Sequence, residues 1–269
     1  MNAVNRLNTI RNGLRTVAAA AAATVAIAAG GNALAAAPAP APGQPSVVIV
    51  HGAFADGSDW AKVIPLLQAR GVQVTAVQNP LTSLADDVAA ARRAIANQPG
   101  KVVLVGHSWG GTVITEAGND DKVASLVYVA AFAPDAGQAT GDLGKDLPVP
   151  PGIAKLSVDK AGFASLPAAA LRQDFAQDVP AAQAAVMAAT QGPIAMKAFG
   201  DKTSAAAWKT RPSWYIVSRN DRMIQPDLER AFAKKIGART TELPTSHVPQ
   251  QSRPADVAKV ILEAVAASK

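Results

Sequence analysis

The chain contains no cysteine. Disulfides, thiol nucleophiles and cysteine-ligated metals are therefore excluded. Histidine is nearly as scarce, with three residues: His51, His107 and His247. Any imidazole base must be one of these. Only 4% of the residues are aromatic, and they do not interleave with clusters of lysine or arginine. Despite a formal charge of +6, the composition carries no nucleic-acid footprint. The phosphate-cradling patterns G-x-x-x-x-G-K and G-x-G-x-x-G do not occur, and the carboxylates lack metal-ligand spacing. No metal and no organic cofactor is implied. No internal repeat is found.

What is present begins with an address. Arg6, Arg11 and Arg15 precede an alanine-rich apolar stretch, Thr16 to Ala29, and Ala33-Leu34-Ala35 fits an A-x-A cleavage rule. Residues 1–37 are thus expected to be a secretory signal peptide, cut near Ala35–Ala37. The apolar stretch is short for a membrane span, and Gly30-Gly31-Asn32 ends it. A secreted or periplasmic bacterial protein is expected, with no stable membrane association once the leader is gone. Residues 38–45 read as a stiff Pro/Ala linker. Without the three leader arginines the charge is nearer +3. The remaining roughly 230 residues suit one domain with a single substantial core.

Short apolar runs alternate with helical patterns through that domain. Buried strands are expected at 46–50, 102–105, 124–131, 214–218 and 240–243, and an alternating, β-branched strand at 71–77. Helices are expected from Ser58 or Asp59 to about Arg70, with Pro65 as a kink or break, and from a capping box at Ser83 and Asp86 to near Pro99. Two more are expected at 226–236 and 254–267. This order predicts an α/β fold, a parallel sheet covered on both faces. One interval, about 134–211, offers no convincing strand. Its apolar segments, 164–175, 181–190 and 194–199, predict a helical cap inserted above the strand ends, where open α/β sheets bind ligands.

The chemistry centres on Gly106-His107-Ser108-Trp109-Gly110. This G-x-S-x-G pattern follows the apolar run Val102–Val105 and opens an amphipathic helix. Strand, sharp turn and helix is the context of a nucleophile elbow. Glycines are needed there because a Cβ would collide with the neighbouring strand and helix. Ser108 is the candidate nucleophile. A serine hydroxyl needs a base, and the base needs an orienting acid. His107 lies inside the elbow and His51 ends the first strand. His247, after the last strand, is the base candidate. Asp221, after the strand 214–218, is the acid candidate, with Asp135 as the fallback and Asp227 read as a helix-start residue. The oxyanion of an acyl-transfer transition state needs two backbone N–H donors. Trp109 supplies one. The loop His51-Gly52-Ala53-Phe54 supplies the other, from Ala53 or alternatively Phe54. Phe54, Phe163, Phe175 and Met187 are the candidate lining of an apolar substrate pocket, alongside Trp109.

Over residues 46 to 268 the chain resembles the α/β-hydrolases, closest to the compact branch of small bacterial esterases, plant methylesterases and hydroxynitrile lyases. The residues that carry this are His51-Gly52-Ala53-Phe54, Gly106 to Gly111, Asn220-Asp221, and Ser246-His247 leading to Ser252-Arg253-Pro254. The resemblance implies the α/β-hydrolase fold, an ester-cleaving Ser-His-Asp triad, a small-molecule substrate and no cofactor. The lyases of this branch place a lysine after the base and a threonine in the oxyanion loop. Here Val248 and Gly52 stand there, which favours hydrolysis. The resemblance leaves open an amide, lactone or carbon–carbon bond as substrate, and a non-catalytic binder. It does not give the oligomeric state.

Overall fold

The computed structural model describes residues 43–269. The expected leader and residues 38–42 of the expected linker lie outside the described residues.

Six parallel strands form the central sheet: β1 (Ser46–Val50), β2 (Val74–Val77), β3 (Val102–His107), β4 (Val123–Val129), β8 (Ser213–Ser218) and β9 (Arg239–Leu243). Their order is β2-β1-β3-β4-β8-β9. Strands β1, β3 and β8 are buried along their whole length. Both faces of the sheet are covered, so successive apolar residues feed two cores rather than one. Val48, Val50 and Leu104 face one side and Val47, Ile49, Val103 and Val105 the other.

On the first side lie α2 (Leu84–Ala96), α3 (Trp109–Ala117) and α6 (Pro226–Lys235); on the second lie α1 (Ile64–Gln68) and α8 (Pro254–Ala267). The expected helix from Ser58 is broken. A 3₁₀ turn, Gly57–Trp60, is capped by Asp56 rather than by Ser58 or Asp59, and α1 starts anew with Pro65 in its first turn. Proline has no N–H to give and is at home there. Ser83 caps α2 by accepting the Asp86 N–H, as the capping pattern predicts. A four-residue helix, α7 (Pro249–Ser252), leads into α8.

Between β4 and β8 the chain leaves the sheet and builds the cap. The expectation of an all-helical cap is corrected here. A small antiparallel sheet of β5 (Ser157–Val158), β6 (Phe163–Ser165) and β7 (Ile194–Ala195) runs through it. These strands have two or three residues each, too few for a period-2 pattern to be read. Helix α4 (Ala168–Ala170) runs into a wide π-type turn, Leu171–Phe175, and α5 (Ala181–Thr190) follows. Among the described residues no helix is long and apolar enough to cross a membrane.

Candidate active site

Ser108 stands between β3 and α3 with φ 52° and ψ −120°, a conformation that side chains other than glycine rarely adopt. Such backbone costs of the order of 1–3 kcal/mol and persists only where the surroundings enforce it. Ser108 N–H donates to Val129 O at 3.2 Å, and Ser108 O accepts from Gly111 at 2.9 Å and Phe132 at 3.2 Å. A Cβ on Gly106 would lie 2.5 Å from Gly110 O, and one on Gly110 2.4 Å from Val50 O. The elbow is therefore wedged between β1, β3 and its own helix, and only glycine fits at these two points.

The loop after β1 packs onto the elbow. A Cβ on Gly52 would lie 2.7 Å from the Ser108 Cβ. His51 holds this loop in place. Its Nδ1 lies 2.8 Å from Gly52 O and its Nε2 accepts the Asn79 N–H at 2.9 Å, an arrangement that requires the proton on Nδ1. Burial lowers the His51 pKa, consistent with this neutral ring. Phe54 has φ 60°, and its N–H donates to Gly192 O of the cap at 3.2 Å. The N–H groups of Ala53 and Trp109 have no hydrogen-bond partner among the described residues. Trp109 is the first helical residue, where no intrahelical acceptor exists. Of the two candidates in this loop, Ala53 thus has the unengaged donor.

His247 and Asp221 meet across the ends of β8 and β9. His247 Nδ1 is 2.5 Å from Asp221 Oδ2, and both side chains are buried. The second oxygen of Asp221 accepts the N–H groups of Met223 at 2.6 Å and Ile224 at 2.9 Å. With both oxygens engaged, the carboxylate has one orientation. Behind it sits Glu229, wholly buried, whose Oε2 accepts the Ser218 N–H at 2.9 Å. Burial, with the charge of Asp221 added, pushes Glu229 well above the usual carboxyl range and favours its neutral form. The fallback Asp135 is elsewhere, paired with Lys209 at 3.0 Å and Lys235 at 3.5 Å. Asp227 lies in the first turn of α6, exposed and paired with Arg230 at 2.8 Å.

His107 is a support. Its Nε2–H donates to the backbone O of His247 at 2.8 Å, so the elbow strand carries the loop of the third histidine. Burial, then the neighbouring His247, hold the His107 pKa well below the usual imidazole range. The Phe175 ring stands edge-on to His247 at 5.0 Å between centroids. Beneath the elbow Asp87 accepts the Trp109 indole N–H at 2.7 Å and the Leu81 N–H at 2.8 Å. Burial raises its pKa to about 6, against the opposing pull of those two bonds.

Ser108 and His247 open onto one cavity of about 260 Å³, along with Ala53, Phe54 and Trp109. No hydrogen bond joins Ser108 to His247 among the described residues; in free enzymes such bonds are often long. The rest of the wall is almost wholly apolar, including Phe132, Leu143, Ile153, Phe199, Met223 and Leu228, and no charged side chain lines it. Three expected wall residues are corrected. Phe163 pairs in β6 with Ala195, Phe175 is sealed beneath His247, and Met187 lines a second, smaller cavity beyond Phe54. The true wall comes mostly from irregular cap backbone, where no periodicity marks an inward face. Met223 and Ile224, two and three residues past the acid, were within reach of the loop argument. Among the described residues no three His, Asp or Glu side chains gather as a metal site requires.

The sequence profile of the alpha/beta hydrolase family matches residues 47–260. The chain belongs to that family. This alpha/beta hydrolase is 25% identical over 246 residues to a probable hydrolase of Phoma sp., a match covering 82% of this chain and 98% of the other. It is 26% identical to a pyrethroid hydrolase of Sphingobium wenxiniae, over 81% of this chain and 86% of the other. Methylesterase 2 of Arabidopsis thaliana is 36% identical, over 33% of this chain and 40% of its own length. Among solved structures, a pyrethroid hydrolase superposes with a TM-score of 0.71 at 23% identity, covering 83% and 98% of the two chains. Polyneuridine aldehyde esterase gives 0.72 at 20% identity, covering 82% and 99%. The family and these esterase-like relatives support a hydrolase, and a methylesterase of the expected branch is among them.

Proposed function

We propose that this hydrolase is an exported serine esterase acting on small or medium neutral apolar esters. The observation that carries the reading is His247, fixed through Nδ1 by Asp221 and opening onto the same uncharged cavity as the strained Ser108. In this reading Ser108 Oγ attacks the ester carbonyl carbon while His247 Nε2 takes its proton. Asp221 stabilises the imidazolium that forms. The oxyanion is met by the unengaged N–H groups of Ala53 and Trp109. The imidazolium then protonates the leaving alkoxide. Water, deprotonated by His247, attacks the acyl carbonyl; as the acyl–oxygen bond breaks the imidazolium returns that proton to Ser108 Oγ, and the acid departs. The carboxylate product carries a charge that the apolar wall does not accommodate, which favours its release.

The name of one relative, methylesterase, supports an ester as the bond cleaved, and that of another, pyrethroid hydrolase, supports hydrolysis. The leader with its A-x-A site supports export. The test is hydrolysis of p-nitrophenyl esters of graded acyl length by the mature protein and by Ser108→Ala. We expect the substitution to cost at least ~10³-fold in kcat, and a fluorophosphonate to label the parent at Ser108. A Ser108→Ala protein that keeps its activity removes the reading. Activity on matched amides equal to that on esters assigns the bond otherwise.

A further inference from the structure

The candidate acid and base stand on two loops, and a single stretch of the cap is tied to both. Asp174, at the end of the π-type turn, is wholly buried. Its Oδ1 accepts from Arg222 Nε at 2.7 Å, and its Oδ2 lies 2.5 Å from Lys155 Nζ. Arg222 follows Asp221 directly. Three residues on from Asp174, the Gln177 side-chain amide donates to Asn220 O at 2.7 Å, on the other side of Asp221. Next to it, Asp178 Oδ2 accepts the Ser246 N–H at 2.8 Å, one residue before His247. Phe175, between these contacts, packs its ring edge against His247.

We propose that cap residues Asp174, Gln177 and Asp178 are positioning residues for the acid and the base. They set the Asp221–His247 pair relative to Ser108 without touching substrate. The inference rests on the esterase reading and deepens it. The physical reason is the length of the loops. Arg219 to Gln225 and Pro244 to Val248 are irregular; they are joined by Arg219 N–H to Leu243 O at 2.9 Å, Asn220 N–H to Thr245 O at 3.1 Å and the Asp221–His247 pair itself, with Ser218 Oγ 3.0 Å from Thr245 Oγ1 and His107 holding His247 O. None of these bonds engages Asn220 O, the Arg222 side chain or the Ser246 N–H. The cap holds the residues on both sides of Asp221 and the one before His247. The same cap supplies Leu143, Ile153 and Phe199 to the cavity wall, and its Gly192 O accepts the Phe54 N–H of the oxyanion loop. Substrate fit under the cap and alignment of the catalytic groups are thereby linked in one body.

The ion pairs have a buried acceptor and half-exposed donors: Arg222 and Lys155 are 47% and 43% exposed, Asp174 not at all. Removing one donor therefore loosens the latch with little damage to the core. The experiment compares the parent with Arg222→Ala, Asp174→Asn, Asp178→Ala and Asp178→Asn in the mature chain. Each is measured for kcat and KM on p-nitrophenyl butyrate, for Tm, and for the rate of Ser108 labelling by a fluorophosphonate. A displacement of about 1 Å at the reacting groups lowers rate by up to ~10²-fold. We expect kcat and labelling rate to fall together by ~10- to 100-fold, with KM within ~3-fold. Asp178→Asn, which keeps an acceptor oxygen for Ser246, should recover most of the Asp178→Ala loss. Should Asp174→Asn fail to fold, Arg222→Ala and the Asp178 pair decide the matter. Folded variants with parental kcat and labelling rate overturn the proposal, and so do losses confined to KM or tracking Tm. If Ser108→Ala abolishes activity while these variants do not lower it, only the latch fails. If Ser108→Ala keeps activity, the esterase reading fails and the latch with it.

Discussion

Asp87 lies under the elbow, and replacing it with asparagine isolates the cost of ionising a carboxyl there. An unperturbed aspartate titrates at 3.8 and this one at about 6, because burial outweighs the hydrogen bonds from Trp109 and Leu81. Between those values the unfolded chain has released this proton and the native protein still holds it. Stability from this group is thus fully present below pH 3.8 and is lost as pH rises through about 6. At ~1.36 kcal/mol for each pH unit, the ceiling is ~3 kcal/mol. The hydrogen-bond change made by asparagine is independent of pH, so it offsets the two stability curves without altering their divergence. Urea unfolding of parent and Asp87→Asn at pH 4, 5, 6, 7 and 8 separates the two effects. We expect the difference to move in favour of the variant by ~1.5–3 kcal/mol across the series, most of it below pH 6.5. Curves that stay parallel to within ~0.5 kcal/mol would refute the burial argument.

Four other substitutions probe different links. His247→Ala should match the ~10³-fold or larger loss of Ser108→Ala, and Asp221→Ala should lose less, as single-turnover acylation with a p-nitrophenyl ester would read out. Gly110→Ala places a methyl group 2.4 Å from Val50 O; overpacking of ~1–3 kcal/mol should lower the calorimetric Tm by ~2–12 °C, and an unchanged Tm would show that α3 can slide away from β1. Leu228→Trp narrows the cavity wall. It should cut kcat/KM for octanoate esters by at least ~10-fold while sparing acetate, and an equal effect on both chain lengths would place Leu228 outside the acyl path.

The elements that carry the site were legible because each sits in a strong local pattern. The run Val102–Val105 is continuous since both faces of the sheet are covered. The G-x-S-x-G turn after it announces its glycines because two backbones come within van der Waals distance of Gly106 and Gly110. Helix α8 was bounded correctly at both ends, from Pro254 to Ala267, by a proline in its first turn and by its apolar period. Legibility failed in the cap. The strands β5, β6 and β7 are too short for any period to show, and Phe163 and Phe175 look like equally good pocket residues when only their chemistry is seen.

Local sequence therefore determined the order of the six central strands and their flanking helices, the α/β class, and which serine, histidine and aspartate could take part. Each of those rests on interactions within a few residues or on burial that both neighbours of a strand impose. Only the tertiary structure decided that His51 and His107 are braces and that Phe175 backs an imidazole. It alone placed Asp174, Gln177 and Asp178 against the loops of Asp221 and His247. The tertiary contacts that do this join segments 28 to 140 residues apart. Their partners are chosen by the packing of the cap on the sheet ends, which no short stretch of chain encodes.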